Sequence, residues 1–375
     1  MVKAGPMTSS MAPAPASGVD PQQAPLIEHG GPDGGPDVQH DFSSNASPLP
    51  TPPAVRAAVD AADRSRYPDP AYAQLRHTLA AQLAHPAELL LPSAGGAEAI
   101  RRLTLWAALQ CLRHVWVPQP GFGEYAAAAE ALGLRVHAYE DLPALARGLC
   151  AQEDGLPMMS PALVWVCDPC NPTGASPLPD AWQALGDALL NSGSELAIDL
   201  AYEELRLDGR SQLPPALADR AWRLRCPNKA LSLTGVRAGL IEAPLAAGEA
   251  AAQLRRLAPS WVLSAEGVAL LSQAWQPDTR EALQQQREQL RGWRLSQHSA
   301  LHRHGWVARP SVCNFSLWRP PSGTHVPTLL QALRQHGIKL RNATSLGAPG
   351  WVRLSVQRPQ SQDALLQALM DIECL

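Results

Sequence analysis

The chain contains only three lysines, Lys3, Lys229 and Lys339, among 375 residues, and arginine supplies nearly all the remaining positive charge. A primary amine can form a Schiff base with a carbonyl group, which a guanidinium cannot. The scarcity of lysine therefore makes Lys229 a candidate for covalent chemistry. A solvated surface residue in an arginine-rich sequence gives the same pattern, so the surrounding motifs must decide.

Other side chains meet the needs of an aldehyde cofactor that carries a pyridine ring, if Lys229 holds it. A buried carboxylate keeps such a ring nitrogen protonated, and Asp199 follows an apolar run. Asn171 and Tyr202 are candidate donors to an oxygen on the ring, and Phe122 is a flat partner for the ring face. These residue types therefore indicate a cofactor-binding site.

A phosphate group on the cofactor needs backbone N–H groups at a helix start, together with a cation. Gly96 and Ala97 open a predicted helix, and Arg237 lies eight residues after Lys229. Taken one at a time, such residues are equally typical of helix caps, turns and ordinary core. Their combination predicts one site.

Helix-like segments alternate with short apolar runs over 51–264. This alternation predicts an α/β fold, a mostly parallel sheet with helices on both faces. The predicted strands are 114–117, 162–166, 195–198, 222–225 and 236–241, and the predicted helices are 98–111, 125–132 and 181–190. Ligands of such sheets bind beyond the carboxyl ends of the strands, so the candidate residues that follow each strand are expected to converge on one crevice.

The pattern changes near residue 265, where a long polar helix over 278–304 leads into strands at 314–317 and 351–356 and a helix at 326–336. The change predicts a smaller α+β C-terminal domain at 265–375 beside a large cofactor-binding domain at 51–264. Residues 26–50 are expected to form an N-terminal arm of the small domain and part of the substrate site. Residues 1–25, rich in Pro, Ala, Ser and Gly, are expected to be a disordered tail, without the apolar centre of a secretory signal.

The composition argues against several classes of partner. A net charge of -3 predicts neither a nucleic-acid partner nor an anionic membrane. Seven scattered cysteines indicate reduced thiols in a cytoplasmic protein, and no stretch approaches the length of an apolar membrane span. Cys167 and Cys170 form a CxxC pair without a second pair at zinc spacing, so no metal site is predicted.

These motifs resemble those of the fold-type I pyridoxal-phosphate enzymes, specifically the class I/II aminotransferase superfamily, from about residue 29 to the C-terminus. The shared signatures are Asn171-Pro172-Thr173-Gly174, Asp199-Leu200-Ala201-Tyr202 and Lys229-x5-Gly235-x-Arg237-x-Gly239. The resemblance implies pyridoxal 5'-phosphate as the cofactor, held covalently by Lys229. Asp199 would then pair with the ring nitrogen, Asn171 and Tyr202 would bond the phenolic oxygen, and Phe122 would stack on the ring. The cofactor phosphate would be bound by Gly96, Ala97 and Arg237.

The resemblance also implies a homodimer. Tyr67 is similar to the tyrosine that these enzymes lend to the cofactor phosphate of the neighbouring subunit. Two positions depart from the superfamily pattern, because Asn228 and Cys226 stand where hydroxyl residues usually precede the lysine. Asn228 can still donate a hydrogen bond, so we expect an altered phosphate cup with binding retained.

Within the superfamily, the N-terminal motifs are most similar to those of the threonine-phosphate decarboxylases of cobalamin biosynthesis, beginning with His29-Gly30-Gly31. This similarity implies a small phosphorylated amino acid as substrate, L-threonine O-3-phosphate, converted to (R)-1-amino-2-propanol phosphate and carbon dioxide. The substrate-binding residues that it implies are His29, Asn45, Asn171, Arg341 and Arg353.

Two other functions compete with this interpretation. Histidinol-phosphate aminotransferases share most of the motifs and also bind a phosphorylated substrate. A cofactor-sensing regulator could use the same fold without catalysis, but such proteins carry a DNA-binding domain ahead of it. The segment before His29 is expected to be too short and too poor in basic residues for that role.

Overall fold

The computed structural model describes residues 27–153, 156–157 and 161–373, so the tail predicted at 1–25 lies outside the described residues. The strands are β1 (His40–Asp41), β2 (Leu90–Ser93), β3 (His114–Pro118), β4 (Arg135–Tyr139), β5 (Gln152–Glu153), β6 (Leu156–Pro157), β7 (Ala162–Cys167), β8 (Glu195–Asp199), β9 (Trp222–Arg225), β10 (Gly239–Glu242), β11 (Val307–Ala308), β12 (Phe315–Arg319), β13 (Ile338–Lys339), β14 (Arg341–Asn342) and β15 (Val352–Ser355). The helices are α1 (Pro53–Asp60), α2 (Ala73–Leu83), α3 (Gly96–Leu109), α4 (Glu124–Glu130), α5 (Leu142–Leu149), α6 (Pro179–Ser192), α7 (Pro215–Ala218), α8 (Gly248–Arg256), α9 (Ala265–Ala274), α10 (Pro277–Arg303), α11 (Val326–Gln335) and α12 (Pro359–Glu373).

The largest sheet has seven strands in the order β2-β10-β9-β8-β7-β3-β4. The five strands from β9 to β4 are parallel to one another, whereas β10 is antiparallel to both of its neighbours. The edge strand β2 therefore points the same way as the parallel strands. As a result, the carboxyl ends of β2, β3, β7, β8 and β9 lie at the same edge of the sheet as the start of β10.

Both faces of this sheet are covered by helices. Trp165 on β7 packs with apolar residues of α3, α4 and α8, while the adjacent Val164 packs with residues of α5 and α6. This alternation follows from strand geometry, in which successive side chains point to opposite faces. Because the strand is buried on both faces, it has the continuous apolar sequence Ala162–Cys167.

A four-stranded sheet, β11-β12-β15-β14, is formed from the C-terminal part of the chain. The N-terminal strand β1 pairs in parallel with β13, and Phe42 is buried among Trp318, Leu340 and their neighbours. The 27-residue helix α10 connects the two regions. Its Leu283 belongs to the apolar cluster around α1 and α9, and its Leu301 belongs to the cluster beneath the smaller sheet.

The predicted fold class is confirmed, a mostly parallel sheet with helices on both faces. The strand predicted at 236–241 begins only at Gly239, because residues 228–236 form successive turns, with Leu233 N–H bonded to the Asn228 carbonyl at 2.9 Å and Val236 N–H to the Leu233 carbonyl at 3.0 Å. Strands β2 and β4 were not predicted from the sequence. They form the two edges of the sheet, where Pro92 and partly exposed polar residues of β4 are tolerated and weaken the apolar signal.

Within the described ranges, no group of three or more His, Cys, Asp or Glu side chains is arranged to hold a metal ion. No helix in the described part of the chain is both long and apolar enough to cross a lipid bilayer.

Candidate active site

A cavity of about 550 Å³ lies beyond the carboxyl ends of the strands. All the residues proposed from the sequence for cofactor or substrate binding, except Tyr67, line it: His29, Asn45, Gly96, Ala97, Phe122, Asn171, Asp199, Tyr202, Asn228, Lys229, Arg237, Arg341 and Arg353. Residues separated by more than 300 positions in sequence thus meet in one space because the strand ends, the N-terminal arm and the smaller sheet adjoin there.

Asp199, the last residue of β8, is a buried carboxylate with two neutral donors. Tyr125 Oη donates to Asp199 Oδ2 at 2.7 Å, and the Ala201 N–H donates to Oδ1 at 2.9 Å. The Tyr125 ring is held between Trp165, which it stacks on at 5.0 Å, and the edge of Phe122. Burial, together with the Asp199 charge, raises the pKa of Tyr125 well above its usual value. Tyr125 therefore remains a neutral donor to the Asp199 carboxylate.

Lys229 lies in the turns after β9, with Nζ 5.2 Å from the centre of the Tyr202 ring. Burial acts to lower the pKa of Lys229, but its acidic neighbours act in the opposite direction and leave the pKa raised overall. The Lys229 carbonyl accepts a hydrogen bond from the Ser47 N–H at 2.9 Å, which ties the lysine turn to the N-terminal arm. The amine is thus fixed inside the cavity, next to an aromatic face.

Asn45, Asn171 and Tyr202 form one hydrogen-bonded group at the side of the cavity. Asn45 Nδ2 donates to Tyr202 Oη at 3.3 Å and lies 3.5 Å from Asn171 Oδ1. The Asn45 carbonyl in turn accepts from Asn314 Nδ2 at 3.2 Å. Burial raises the pKa of Tyr202, so its hydroxyl stays protonated and can act as a donor.

The start of α3 forms an anion-binding end of the cavity. Gly95 precedes it with φ of +93°, and a Cβ at this position would lie 2.5 Å from Arg237 Nη2. Glycine is therefore required for both the backbone conformation and the close approach of the guanidinium. The backbone N–H groups of Gly96 and Ala97 at the positive end of the helix lie beside this cation, an arrangement that suits a phosphate.

The two unusual residues before the lysine occupy different places. Asn228 lines the cavity and is 3% exposed, and its Oδ1 has no hydrogen-bond partner among the described residues. Cys226 instead packs beneath α3, with Sγ 3.1 Å from where a Cβ on Gly96 would be. Burial raises the pKa of Cys226 to about 12, so the thiol is neutral. Only Asn228 is therefore placed to contact a ligand.

Arg353, on β15, is a buried guanidinium surrounded by neutral acceptors. It donates from Nη1 to Asn171 Oδ1 and from Nη2 to the Ser43 carbonyl, each at 2.6 Å, while its Nε has no partner within the described residues. Burial lowers the pKa of Arg353 to about 10, which still leaves it charged at neutral pH. A buried positive charge whose hydrogen-bond acceptors are neutral favours an anionic ligand.

Arg341, on β14, is also buried, but its donors are directed at the protein. Nη1 is paired with Glu28 Oε1 and donates to the Asn342 carbonyl, and Nη2 donates to the Glu28 carbonyl at 2.6 Å and to Ser345 Oγ at 2.8 Å. The structure therefore places Arg341 in the cavity wall, as expected, but engaged with Glu28, which sequence reasoning did not single out.

Residues 28–31 cross the mouth of the cavity, and we call them the arm segment. The His29 ring lies 5.8 Å from Phe122, and its Nε2 is 3.5 Å from Glu124 Oε1. The hydrogen bond from His29 lowers the pKa of Glu124, with a smaller contribution from Arg101. His29 is half exposed and lines the cavity, so it can contact both solvent and a ligand.

Gly30, in the arm segment, packs against Ser43 and Arg353 and leaves no room for a side chain. A Cβ there would lie 2.0 Å from the Ser43 carbonyl oxygen and 3.0 Å from Arg353 Nη2. We expect Gly30→Ala to lower the free energy of unfolding by about 1–3 kcal/mol, because the clash is with backbone. Gly186→Ala is the matched control, since a Cβ at this α6 position meets nothing within 4 Å and alanine favours helix. Urea unfolding of both variants tests this, and an unchanged midpoint for Gly30→Ala would contradict it.

Tyr67 is not brought to the cavity within one chain. Its side chain is 77% exposed and stacks on Trp261, which is 45% exposed, with ring centroids 4.3 Å apart. The pair forms an exposed aromatic surface. The predicted role of Tyr67 in a neighbouring subunit stays a prediction.

Tyr125 and Glu28 are two cavity residues to which the sequence motifs assign no role. Tyr125 was assigned to a helical apolar pattern, which is also typical of ordinary core. Its position three residues after Phe122 is the available signal, because α4 begins between them and the two rings are in contact. No comparable signal existed for Glu28, whose partner Arg341 is 313 residues away.

The cavity fits pyridoxal 5'-phosphate on this chain's own features. Asp199 is a buried carboxylate for a pyridinium nitrogen, Lys229 is a half-buried amine that lines the cavity for a carbonyl, and Arg237 lies beside the α3 start for a phosphate. Asn228 also lines the cavity, and only its Nδ2 can donate to a phosphate, whereas its Oδ1 is a buried acceptor without a partner among the described residues.

Comparison with known proteins identifies the family. Residues 37–371 match the model of the family described as aminotransferase class I and II. The chain is 32% identical over 256 residues to a threonine-phosphate decarboxylase of Salmonella typhimurium, covering 65% of this chain and 68% of that protein. It is 27% identical over 353 residues to a histidinol-phosphate aminotransferase of Symbiobacterium thermophilum, covering 88% and 89%.

Solved structures share the fold. The histidinol-phosphate aminotransferase of Sinorhizobium meliloti in complex with pyridoxal-5'-phosphate aligns with a TM-score of 0.75 at 22% identity, covering 90% of this chain and 91% of that one. The histidinol-phosphate aminotransferase of Clostridium acetobutylicum aligns with a TM-score of 0.76 at 18% identity, covering 89% and 99%. Because the family match spans nearly all of the described residues, this chain belongs to the class I and II aminotransferase family, whose cofactor is pyridoxal 5'-phosphate.

Proposed function

We propose that this protein decarboxylates L-threonine O-3-phosphate to (R)-1-amino-2-propanol phosphate, a reaction of cobalamin biosynthesis. The main support is the arm segment, in which His29-Gly30-Gly31 packs on Ser43 and Arg353 and closes one side of the cavity. The similarity to a threonine-phosphate decarboxylase at 32% identity adds to it.

Bound pyridoxal phosphate supplies an electron sink for the pair released when a bond to the substrate α carbon breaks. Asp199, held by Tyr125, keeps the ring nitrogen protonated, and Asn171 and Tyr202 donate toward the phenolic oxygen. In the proposed site, Lys229 anchors the cofactor, and its Nζ delivers the proton that replaces carbon dioxide at the α carbon.

The remaining residues of the cofactor site act on its ring face and phosphate. Phe122 provides the flat surface against the ring. Gly96, Ala97 and Arg237 hold the phosphate at the start of α3, with Asn228 as an additional amide donor.

Arg353 binds the substrate carboxylate in this proposal. Its Nε, which has no partner among the described residues, and its buried charge, whose two acceptors are neutral, favour a planar anion. The substrate phosphate is assigned to Arg341 and His29, with Asn45 contributing from the arm. The leaving carboxylate is therefore held by a fixed guanidinium on β15, which orients the bond that breaks.

The second candidate is a histidinol-phosphate aminotransferase activity. It is favoured by matches of 27–30% identity that cover 84–88% of the chain, a larger share than the decarboxylase match. Both reactions use the same cofactor and a phosphorylated substrate. They differ in whether the bond from the α carbon to the carboxylate or the bond to the α hydrogen breaks.

One assay distinguishes the two activities. Purified holoenzyme is incubated with O-phospho-L-threonine in the absence of any oxo acid, and carbon dioxide and the amine product are measured. The proposal predicts stoichiometric release of both. If the protein instead requires 2-oxoglutarate and converts histidinol phosphate, the decarboxylase assignment is wrong.

The protein is proposed to act as a cytoplasmic homodimer. The exposed Tyr67 and Trp261 rings form an apolar surface of the kind that subunit interfaces bury. In the dimer, Tyr67 would reach the cofactor phosphate of the neighbouring subunit. Tyr67→Phe is the variant that probes this contact without removing the ring.

Tyr125→Phe is expected to weaken cofactor binding. It removes the donor to Asp199 Oδ2 while keeping the stacking on Trp165. A hydrogen bond to a charged group is worth about 1.5 kcal/mol, so the Kd for pyridoxal phosphate should rise about tenfold. Titration of the apoenzyme with the cofactor, followed by visible absorbance, measures this. An unchanged Kd would show that Asp199 does not need Tyr125 for its position.

A further inference from the structure

Glu28 occupies the anion-binding side of Arg341. The Glu28 carboxylate is paired with Arg341 Nη1 and accepts from Ser345 Oγ at 2.9 Å, and the Glu28 backbone carbonyl accepts from Arg341 Nη2 at 2.6 Å. Glu28 lines the same cavity as Lys229 and Asn171. A carboxylate of the protein thus sits where a ligand anion would meet this arginine.

The four N–H bonds on the terminal nitrogens of Arg341 all have protein acceptors: Glu28 Oε1, the Glu28 carbonyl, the Asn342 carbonyl and Ser345 Oγ. An additional anion can reach these two nitrogens only if one of the four acceptors leaves. The neighbouring arginine of the cavity, Arg353, differs because its acceptors are neutral and its Nε is unpartnered among the described residues.

Of the acceptors of Arg341, the Glu28 carboxylate is the one that can leave readily. The Arg341 side chain is 2% exposed, whereas that of Glu28 is 53% exposed and belongs to the arm segment at the cavity mouth. A half-exposed carboxylate regains its hydration when it moves into solvent, so the net strength of such a pair is small. The Asn342 carbonyl, which belongs to β14, cannot move into solvent in this way.

We infer that Glu28 is an internal competitor for the substrate phosphate, a specificity-determining residue that must leave Arg341 before a phosphorylated ligand can bind. This inference rests on the proposed function, in which Arg341 receives the phosphate. Glu28 therefore weakens the binding of every ligand anion that uses Arg341. The apparent Kd equals the intrinsic Kd divided by the fraction of molecules in which Glu28 has left Arg341. A ligand without a terminal anion cannot displace the carboxylate and gains nothing from its removal.

The test uses holoenzyme and inorganic phosphate, with binding measured by isothermal titration calorimetry at constant ionic strength. Glu28→Ala should lower the Kd for phosphate about three- to tenfold, the range expected for loss of a half-exposed competing ion pair. Glu28→Gln should show a smaller decrease, because the amide still accepts a weaker hydrogen bond. Glu130→Gln on the exposed end of α4 changes the net charge equally and should leave the Kd unchanged.

A Kd that stays constant or rises in Glu28→Ala would overturn the inference, because Glu28 would then be a spectator or a direct ligand-binding group. Absence of phosphate binding in all the variants would overturn it as well. Turnover is scored separately with O-phospho-L-threonine and L-threonine. If phosphate binding tightens but no carbon dioxide is released, Glu28 still acts as a competitor and the proposed substrate is wrong. If phosphate binding tightens and carbon dioxide is released, the KM of Glu28→Ala should fall for O-phospho-L-threonine and stay unchanged for L-threonine.

Discussion

Lys229→Ala is expected to abolish the visible absorbance of the covalently held cofactor and to reduce turnover by about 10³-fold or more, because the covalent anchor and the proton donor are lost together. The protein should remain folded, since the lysine lies in turns stabilised by backbone hydrogen bonds such as Leu233 N–H to the Asn228 carbonyl. Absorbance spectra of the cofactor-loaded variant and steady-state assays measure the two effects.

Lys339→Ala is the matched control for this prediction. Lys339 is the other lysine in the described part of the chain, and its Nζ is engaged with the Gly31 carbonyl and with Asp33 at 2.7 Å. Removing it should leave the visible band in place. A wild-type spectrum in Lys229→Ala, or loss of the band in Lys339→Ala, would contradict the assignment of the anchoring lysine.

Arg353→Lys is expected to have the second largest effect, a decrease in kcat/KM on the order of 100-fold. Lysine keeps the charge but loses the planar pair of donors, and a truncated buried ion pair typically loses several kcal/mol of ligand binding. The change should fall mainly on substrate binding, so the visible cofactor band should persist. Steady-state kinetics with O-phospho-L-threonine, alongside absorbance spectra, measure both quantities.

Arg303→Lys at the exposed end of α10 serves as the control for the Arg353 variant, because it makes the same chemical change far from the cavity. Its kinetics should match those of the wild type. If Arg353→Lys retains full kcat/KM, the substrate carboxylate is bound elsewhere, and the proposed orientation of the breaking bond fails with it.

The core of the fold could be predicted from the sequence because parallel strands buried on both faces are continuous apolar runs. Strand β7 is the clearest case, and the predicted strand at 162–166 differs from it by one residue. The edge strands β2 and β4 were missed because edges tolerate proline and polar residues, which weaken that signal. The antiparallel direction of β10 could not be predicted from the sequence either, since strand direction depends on tertiary contacts.

The candidate site could be predicted where residues follow strand ends in a set order. Asp199 at the end of β8 and Lys229 after β9 are cases in which local position determines the place in the cavity. The state of each side chain could not be predicted in this way. Arg341 and Arg353 look equivalent in the sequence, yet one is paired with Glu28 and the other has only neutral acceptors. That difference arises from the path of the arm segment, which no local pattern reports.

Lys229 is the residue through which we expect this chain to hold pyridoxal phosphate. Sodium borohydride reduction of the holoenzyme, followed by proteolysis and mass spectrometry, tests it directly, because reduction makes the bond between the amine and the cofactor permanent. We predict that the peptide containing Lys229 carries the cofactor mass and that the peptides containing Lys3 and Lys339 do not. Recovery of the cofactor on the peptide of Lys3 or Lys339 would contradict the assignment of Lys229. So would recovery of the cofactor on no peptide, if the visible band was present before reduction.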